Sequence, residues 1–200
     1  IQFPLGGLHK TETRTLARAF ELPVAEKAES QEICFVGNQS YAQFVAKRRP
    51  DVTVPGEVVD TAGVALGEHK GLVHHTVGQR RGLGIARKDP LYVIRLEPAT
   101  NRVVVGSRAE AAARRIEVDA VSLISGQWPD TPFEAEAMVR YRGAQTPATI
   151  IPGDPGSRTL TVHFPGDGPV ASPGQALVLY RGDEVLGGGT IRAVTTNDAA

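Results

Sequence analysis

A single cysteine, Cys34, sits in the stretch KAESQEICFVGN, residues 27–38. Its reactive form is the thiolate, and an ordinary thiol pKa near ~8.5 leaves only a few per cent ionised at neutral pH. Lys27 would lower that value if the segment folds back, whereas Glu29 and Glu32 would raise it. Two readings stand on these residues: a small packed side chain, or a carrier that accepts a group and passes it on.

Two further stretches carry a second kind of chemistry. VGQRRGLGI, residues 77–85, sets Arg80 and Arg81 among glycines, a flexible basic loop able to come close to a phosphate backbone. VRYRG, residues 139–143, alternates Arg140, Tyr141 and Arg142. On a strand this puts both arginines on one face and the ring on the other. Cations beside an aromatic ring grip and stack RNA, although an exposed strand explains the alternation equally well. The glycine spacing matches neither a dinucleotide fingerprint nor a phosphate loop. Of the five histidines, His74 and His75 are adjacent and would point to opposite faces of a strand. His9, His69 and His163 lack ligand spacing, so no metal site is expected.

Charge sharpens the second chemistry. The 200 residues hold 22 basic and 22 acidic side chains, but residues 70–115 carry 10 basic against 3 acidic. That excess attracts a polyanion, unless the arginines pair with the acidic residues 116–200. A 41% hydrophobic content can bury a core, and no apolar run approaches the ~20 residues a membrane helix needs. One cysteine makes no internal disulfide, which places the chain in a reducing cytoplasm. The start at Ile1, without methionine, reads as a piece of a longer protein. A monomer is expected.

The elements that must position these groups change character along the chain. HKTETRTLARAFELP reads as a short helix with Thr11 as N-cap, Leu16, Ala19 and Phe20 on one face, and Pro23 as its stop. SYAQFVAKRRP repeats that grammar, with Ser40 as cap, Lys47 to Arg49 in the last turn and Pro50 after it. From Pro55 onward the pattern is β. A hairpin turns at Thr61–Gly63, GLVHHTV, LYVIRLE and NRVVVG come next as strands, and Pro98–Asn101 is a turn. A second β series runs from Ile116 and ends in a hairpin at Gly182–Asp183, with Gly187–Gly189 suited to a bulge or close backbone contact. The fold class expected is therefore mainly β with a short helical N-terminal segment, a central β-rich domain and a closed C-terminal barrel or sandwich.

Several stretches together resemble one family, the bacterial tRNA-specific 2-thiouridylases: FPLGGLHKTETRTLA (3–17), SQEICFVG (30–37), PGEVVDTAGVALGEHKGL (55–72), TVGQRRGLGI (76–85), NRVVVG (101–106), VRYR (139–142), SPGQALVLY (172–180) and LGGGTI (186–191). The resemblance covers nearly the whole chain and somewhat more than the C-terminal half of such a protein. It implies three parts: 1–50, the tail of a nucleotide-binding α/β domain with the cysteine loop; 51–112, a connecting β domain; 113–200, a barrel like those of translation factors. It implies that ATP, with Mg, is bound by an N-terminal domain outside this chain and activates C2 of the wobble uridine in tRNAs for Lys, Glu and Gln. A sulfur-relay protein would then charge Cys34 as a persulfide, which delivers the sulfur.

The family's tRNA contacts map onto Arg140, Tyr141 and Gln175, with Arg142 beside them, while Arg80 and Arg81 are added from charge alone. Glu29 departs from the Asp often found there. The second cysteine of many members, like the adenylating loop, falls outside this chain, so alone it is expected to be inactive. Two rivals remain: a non-catalytic RNA-binding barrel with an incidental cysteine, and a scaffold that recruits the sulfur donor without binding tRNA.

Overall fold

From Gly56 onward, apolar side chains recur at alternate positions, and a sheet with one buried face is the structure that uses such a pattern. The computed structural model describes residues 4–27, 41–141 and 143–197, so Cys34 and Arg142 lie outside the described residues. The chain divides into two compact units, Ile1–Phe44 and Val45–Ala200.

In the first unit, helix α1 spans Lys10–Ala19. Its N-cap is His9, two residues before the expected Thr11, because Glu12 accepts the His9 backbone N–H at 2.7 Å and closes the first turn there. The helix buries none of its residues; Leu16 is 41% exposed and Phe20 72%. A second short helix, α2, spans Tyr41–Ala46. Lys47 to Arg49 form the turn after it rather than its last turn, and a 3-10 turn comes next at Pro50–Thr53. The proposed Ser40 cap falls outside the described residues.

The second unit holds two sheets. Strands β1 (Gly56–Val59), β2 (Ala65–His69), β3 (Tyr92–Glu97) and β4 (Arg102–Gly106) form a four-stranded sheet in the order β2-β1-β4-β3. β1 and β2 are the expected antiparallel hairpin, and β1 runs parallel to β4. The stretch GLVHHTV is not a strand. Gly71 takes φ 125°, Leu72–His74 form a 3-10 turn, and the Gly71 N–H donates to His69 Nδ1 at 3.0 Å. That geometry breaks the extended backbone and sends Leu72 into the core beneath the sheet, with Val58, Val93, Val103 and Val105.

Six further strands close a barrel: β5 (Ala113–Leu123), β6 (Phe133–Met138), β7 (Thr146–Pro152), β8 (Leu160–His163), β9 (Ala176–Arg181) and β10 (Glu184–Thr196), in the order β10-β5-β8-β7-β6-β9. Closure leaves no open edge and gathers Ile116, Ile150, Leu177, Leu179 and Ile191 into one core, each at most 1% exposed. At the bulge expected near Gly187–Gly189, the register shifts between Val185 and Gly187. Gly187 has φ 150°, and a Cβ there would overlap the Ser122 carbonyl oxygen.

The segment Gly168–Ala171 joins the two sheets. The Arg108 Nη2 donates to Gly168 O at 2.9 Å, the Ala113 N–H to Pro169 O at 3.1 Å, and Arg140 Nη2 to Val170 O at 2.8 Å. Val170 packs with Ile94, Ala111 and Tyr92 in a small apolar cluster. These bonds use up buried carbonyls that would otherwise be orphaned.

Candidate nucleic-acid interface

Strand β6 ends at Met138, and the backbone turns, with the Gly143 N–H donating to Arg140 O at 2.9 Å. The strand alternation expected for Arg140 and Tyr141 therefore does not hold. Arg140 is instead held across the turn by its bond to Val170 O, while the Tyr141 side chain stands 84% exposed beside it. Gln175, on the turn into β9, is half-buried; its carbonyl accepts the Ile191 N–H at 2.8 Å, which fixes its position. Arg140, Tyr141 and Gln175 line one groove of about 320 Å³, floored by Met138, Val139 and Val178. Residues far apart in the chain are thus brought to one surface, because β6 and β9 are neighbours in the barrel.

The glycine-flanked loop begins against the same place. A side chain at Gly78 would press on Val170 Cγ1 and stand 3.8 Å from Arg140 Nη2. Gly78 N–H donates to Val93 O at 2.7 Å and Val93 N–H to Gln79 O at 2.9 Å, so the loop starts as a tail of pairing on β3. Gln79 ties the loop together on both sides of itself. Its Oε1 accepts the Thr76 N–H at 3.0 Å and its Nε2 donates to Arg81 O at 2.8 Å. Sequence reading missed Gln79; the signal was there, since a side-chain amide carries its donor and its acceptor on separate atoms and can serve two ends of one loop. Further on, Leu83 is buried in the sheet core between Gly82 (φ 74°) and Gly84 (φ 71°). Only glycine enters that left-handed region freely, so the pair lets the chain dip to place Leu83 and rise again. Arg80 and Arg81 are left exposed.

The histidines separate from this surface. His69 Nε2 donates to Asn101 O at 3.1 Å, and the His69 and His75 rings meet edge to face at 5.6 Å. His75 is buried, its Nδ1 has no hydrogen-bond partner, and burial, then the nearby His69 and His74, holds its pKa below the usual histidine value. This is a packed pair at the end of β2. Among the described residues no group of three or more His, Cys, Asp or Glu could hold a metal ion, and no helix is long and apolar enough to cross a membrane.

The comparisons with known proteins match the chain part by part. Residues 1–38 match the family described as the tRNA methyl transferase HUP domain, residues 42–107 the tRNA methyl transferase PRC-barrel domain, and residues 113–191 the aminomethyltransferase beta-barrel domain. The chain is 47% identical over 201 residues to a protein named tRNA-specific 2-thiouridylase MnmA from Methylorubrum populi, covering 97% of this chain and 52% of that protein. Proteins of the same name from Methylobacterium radiotolerans (45%; 97% of this chain, 52% of that protein) and Roseiflexus sp. (43%; 94% and 50%) are similar. The chain spans about half the length of the curated relatives it matches. With its sheet, barrel and matching order of parts, the chain belongs to the tRNA-specific 2-thiouridylase family.

Proposed function

We propose that this chain works as part of a tRNA 2-thiouridylase, in which Cys34 carries sulfur as a persulfide and delivers it to the activated C2 of the wobble uridine. The observation that carries the reading is 47% identity over 97% of the chain to a relative of that named activity. A persulfide is more acidic than a thiol, so a carrier cysteine needs less help from its surroundings than a primary nucleophile does. In delivery, the terminal sulfur bonds to C2 as the C2–O bond to the leaving group breaks, and a second thiol cleaves the sulfur–sulfur bond. ATP, with Mg, is assigned in this reading to the N-terminal nucleotide domain whose tail these residues carry; the chain itself has no phosphate-loop motif. The substrate tRNAs for Lys, Glu and Gln, a sulfur-relay donor protein, a cytoplasmic setting and action as a monomer belong to the same proposal. So does the division into nucleotide-domain tail, connecting domain and barrel at residues 50 and 112.

Tyr141 and Gln175 are proposed to contact tRNA, with Arg142 beside them and Arg80 and Arg81 on the adjoining loop. Arg140 has a double part, since the guanidinium that would reach the RNA already holds Val170 O. Incubation with a sulfur donor should add one sulfur atom to Cys34, read by mass, where an exposed cysteine of an unrelated protein stays unmodified. In the full-length enzyme Cys34→Ser should abolish thiolation and leave tRNA affinity within about twofold. A parallel loss of affinity would make Cys34 a structural residue and favour the non-catalytic RNA-binding module.

A further inference from the structure

Beyond Leu83 the loop rises into Arg87 and Lys88, and the return to β3 closes an open hollow of about 520 Å³ between its two limbs. Arg80 lines one limb and Arg87 and Lys88 the other, over a floor that includes Leu83 and Leu91. Because Leu83 is anchored in the sheet core, the two limbs stay apart while their cations face one space. Asp89 also lines the hollow, yet among the described residues no ion pair or hydrogen bond engages the side chains of Arg80, Arg87 or Lys88. Many other described arginines are engaged by carboxylates or carbonyls; Arg81, Arg114 and Arg181 are not, but Arg80, Arg87 and Lys88 are the unpartnered cations that line one hollow. Arg81 does not line the hollow.

We infer that this hollow binds a phosphate of an RNA backbone. Three cations around one space favour an anion, and the lining holds no aromatic ring on which a base would stack, so charge rather than base identity is recognised. The groove of Arg140, Tyr141 and Gln175 offers the complementary part, a ring and an amide. Gly78, at the start of this loop, lies close to Arg140, a Cβ there standing 3.8 Å from Arg140 Nη2. The basic pair read from sequence is thereby split: Arg80 belongs to the phosphate site together with Arg87 and Lys88, and Arg81 does not. This assignment rests on the proposed tRNA binding.

The test is tRNA affinity of the 200-residue chain across a salt series, for wild type, the triple variant Arg80→Gln/Arg87→Gln/Lys88→Gln, Arg81→Gln, and Arg181→Gln at a distant exposed site. The triple variant should bind about tenfold more weakly near physiological salt and flatten the slope of log K against log[salt] by about one, the counterions of one phosphate. Arg81→Gln, a proposed tRNA contact outside the hollow, should weaken binding less than the triple variant does, and Arg181→Gln should match wild type. Unchanged melting curves would exclude misfolding, since all the changed side chains are exposed. A triple variant with the wild-type slope overturns the phosphate site while tRNA binding, still weakened by Tyr141→Ala, stands. If inorganic phosphate binds the wild type and not the triple variant while the tRNA slope is unchanged, the site takes a free anion and the RNA assignment fails. If the wild type binds no tRNA at all, this inference falls together with the proposed tRNA binding.

Discussion

On the barrel surface, Glu117 of β5 sits between Arg115 at 2.8 Å and Arg192 of β10, and Arg192 also reaches Asp119 at 3.6 Å. On the loop beside the four-stranded sheet, Arg80, Arg81, Arg87 and Lys88 have no such partner among the described residues. The same residue type thus does two jobs. Where the sheet sets an arginine beside a carboxylate, on the same strand as with Arg115 or on the neighbouring one as with Arg192, the two charges offset each other in place. Where a loop is held open by one buried leucine, nearby carboxylates are too few and the charge remains available to a polyanion. The ten basic residues of 70–115 are therefore not ten contacts. Arg95 pairs with Glu97, Arg102 with Glu57, Arg115 with Glu117, and Arg108 donates to Gly168 O.

The largest effects should come from the barrel that displays the paired charges. Leu179→Ala removes a fully buried side chain from the closed core and should cost about 2–5 kcal/mol of stability, read by denaturant unfolding. Gly187→Ala forces a side chain into a left-handed backbone against Ser122 O and should cost about 2–4 kcal/mol. A loss below about 0.5 kcal/mol in either would mean the barrel relaxes more easily than its packing implies.

A smaller effect separates the sheet from the barrel through pH. His75 is held below its ordinary pKa, so the unfolded chain binds more protons than the folded one as pH falls below about 6.5. Stability should be fully present above that pH and decline below it, toward and through the lowered folded value. In His75→Leu that part of the slope should vanish; an unchanged profile would place the titration elsewhere. Smallest of all, Glu117→Gln should hardly move the melting temperature, because exposed ion pairs contribute little, but it should free Arg115 and Arg192. If that variant binds tRNA with a steeper salt dependence, the contrast between paired and unpaired arginines is confirmed from the barrel side. If the slope is unchanged, freed arginines at that position lie off the RNA path.

Local grammar fixed much of the fold in advance. The hairpin at Thr61–Gly63, the strands LYVIRLE and NRVVVG, the β9–β10 turn and the glycine bulge all come from alternation and turn residues, which act over a few positions. Misreadings arose where a tertiary contact overrode that grammar. GLVHHTV has a strand's composition, but Gly71, His69 and the demand of the sheet core for Leu72 bend it into a 3-10 turn. VRYRG alternates like a strand, but β6 ends before it and Arg140 is drawn to Val170 O, 30 residues away.

By itself, the sequence determined the β-rich class, the basic character of residues 70–115 and the family resemblance around Cys34, because composition, periodicity and ordered motifs are properties of the string. Only the tertiary structure decided which cations are spent on carboxylates and carbonyls and which face an open hollow. Neutralisation depends on distances of a few ångströms between residues far apart in the chain, and strand register and barrel closure set those distances.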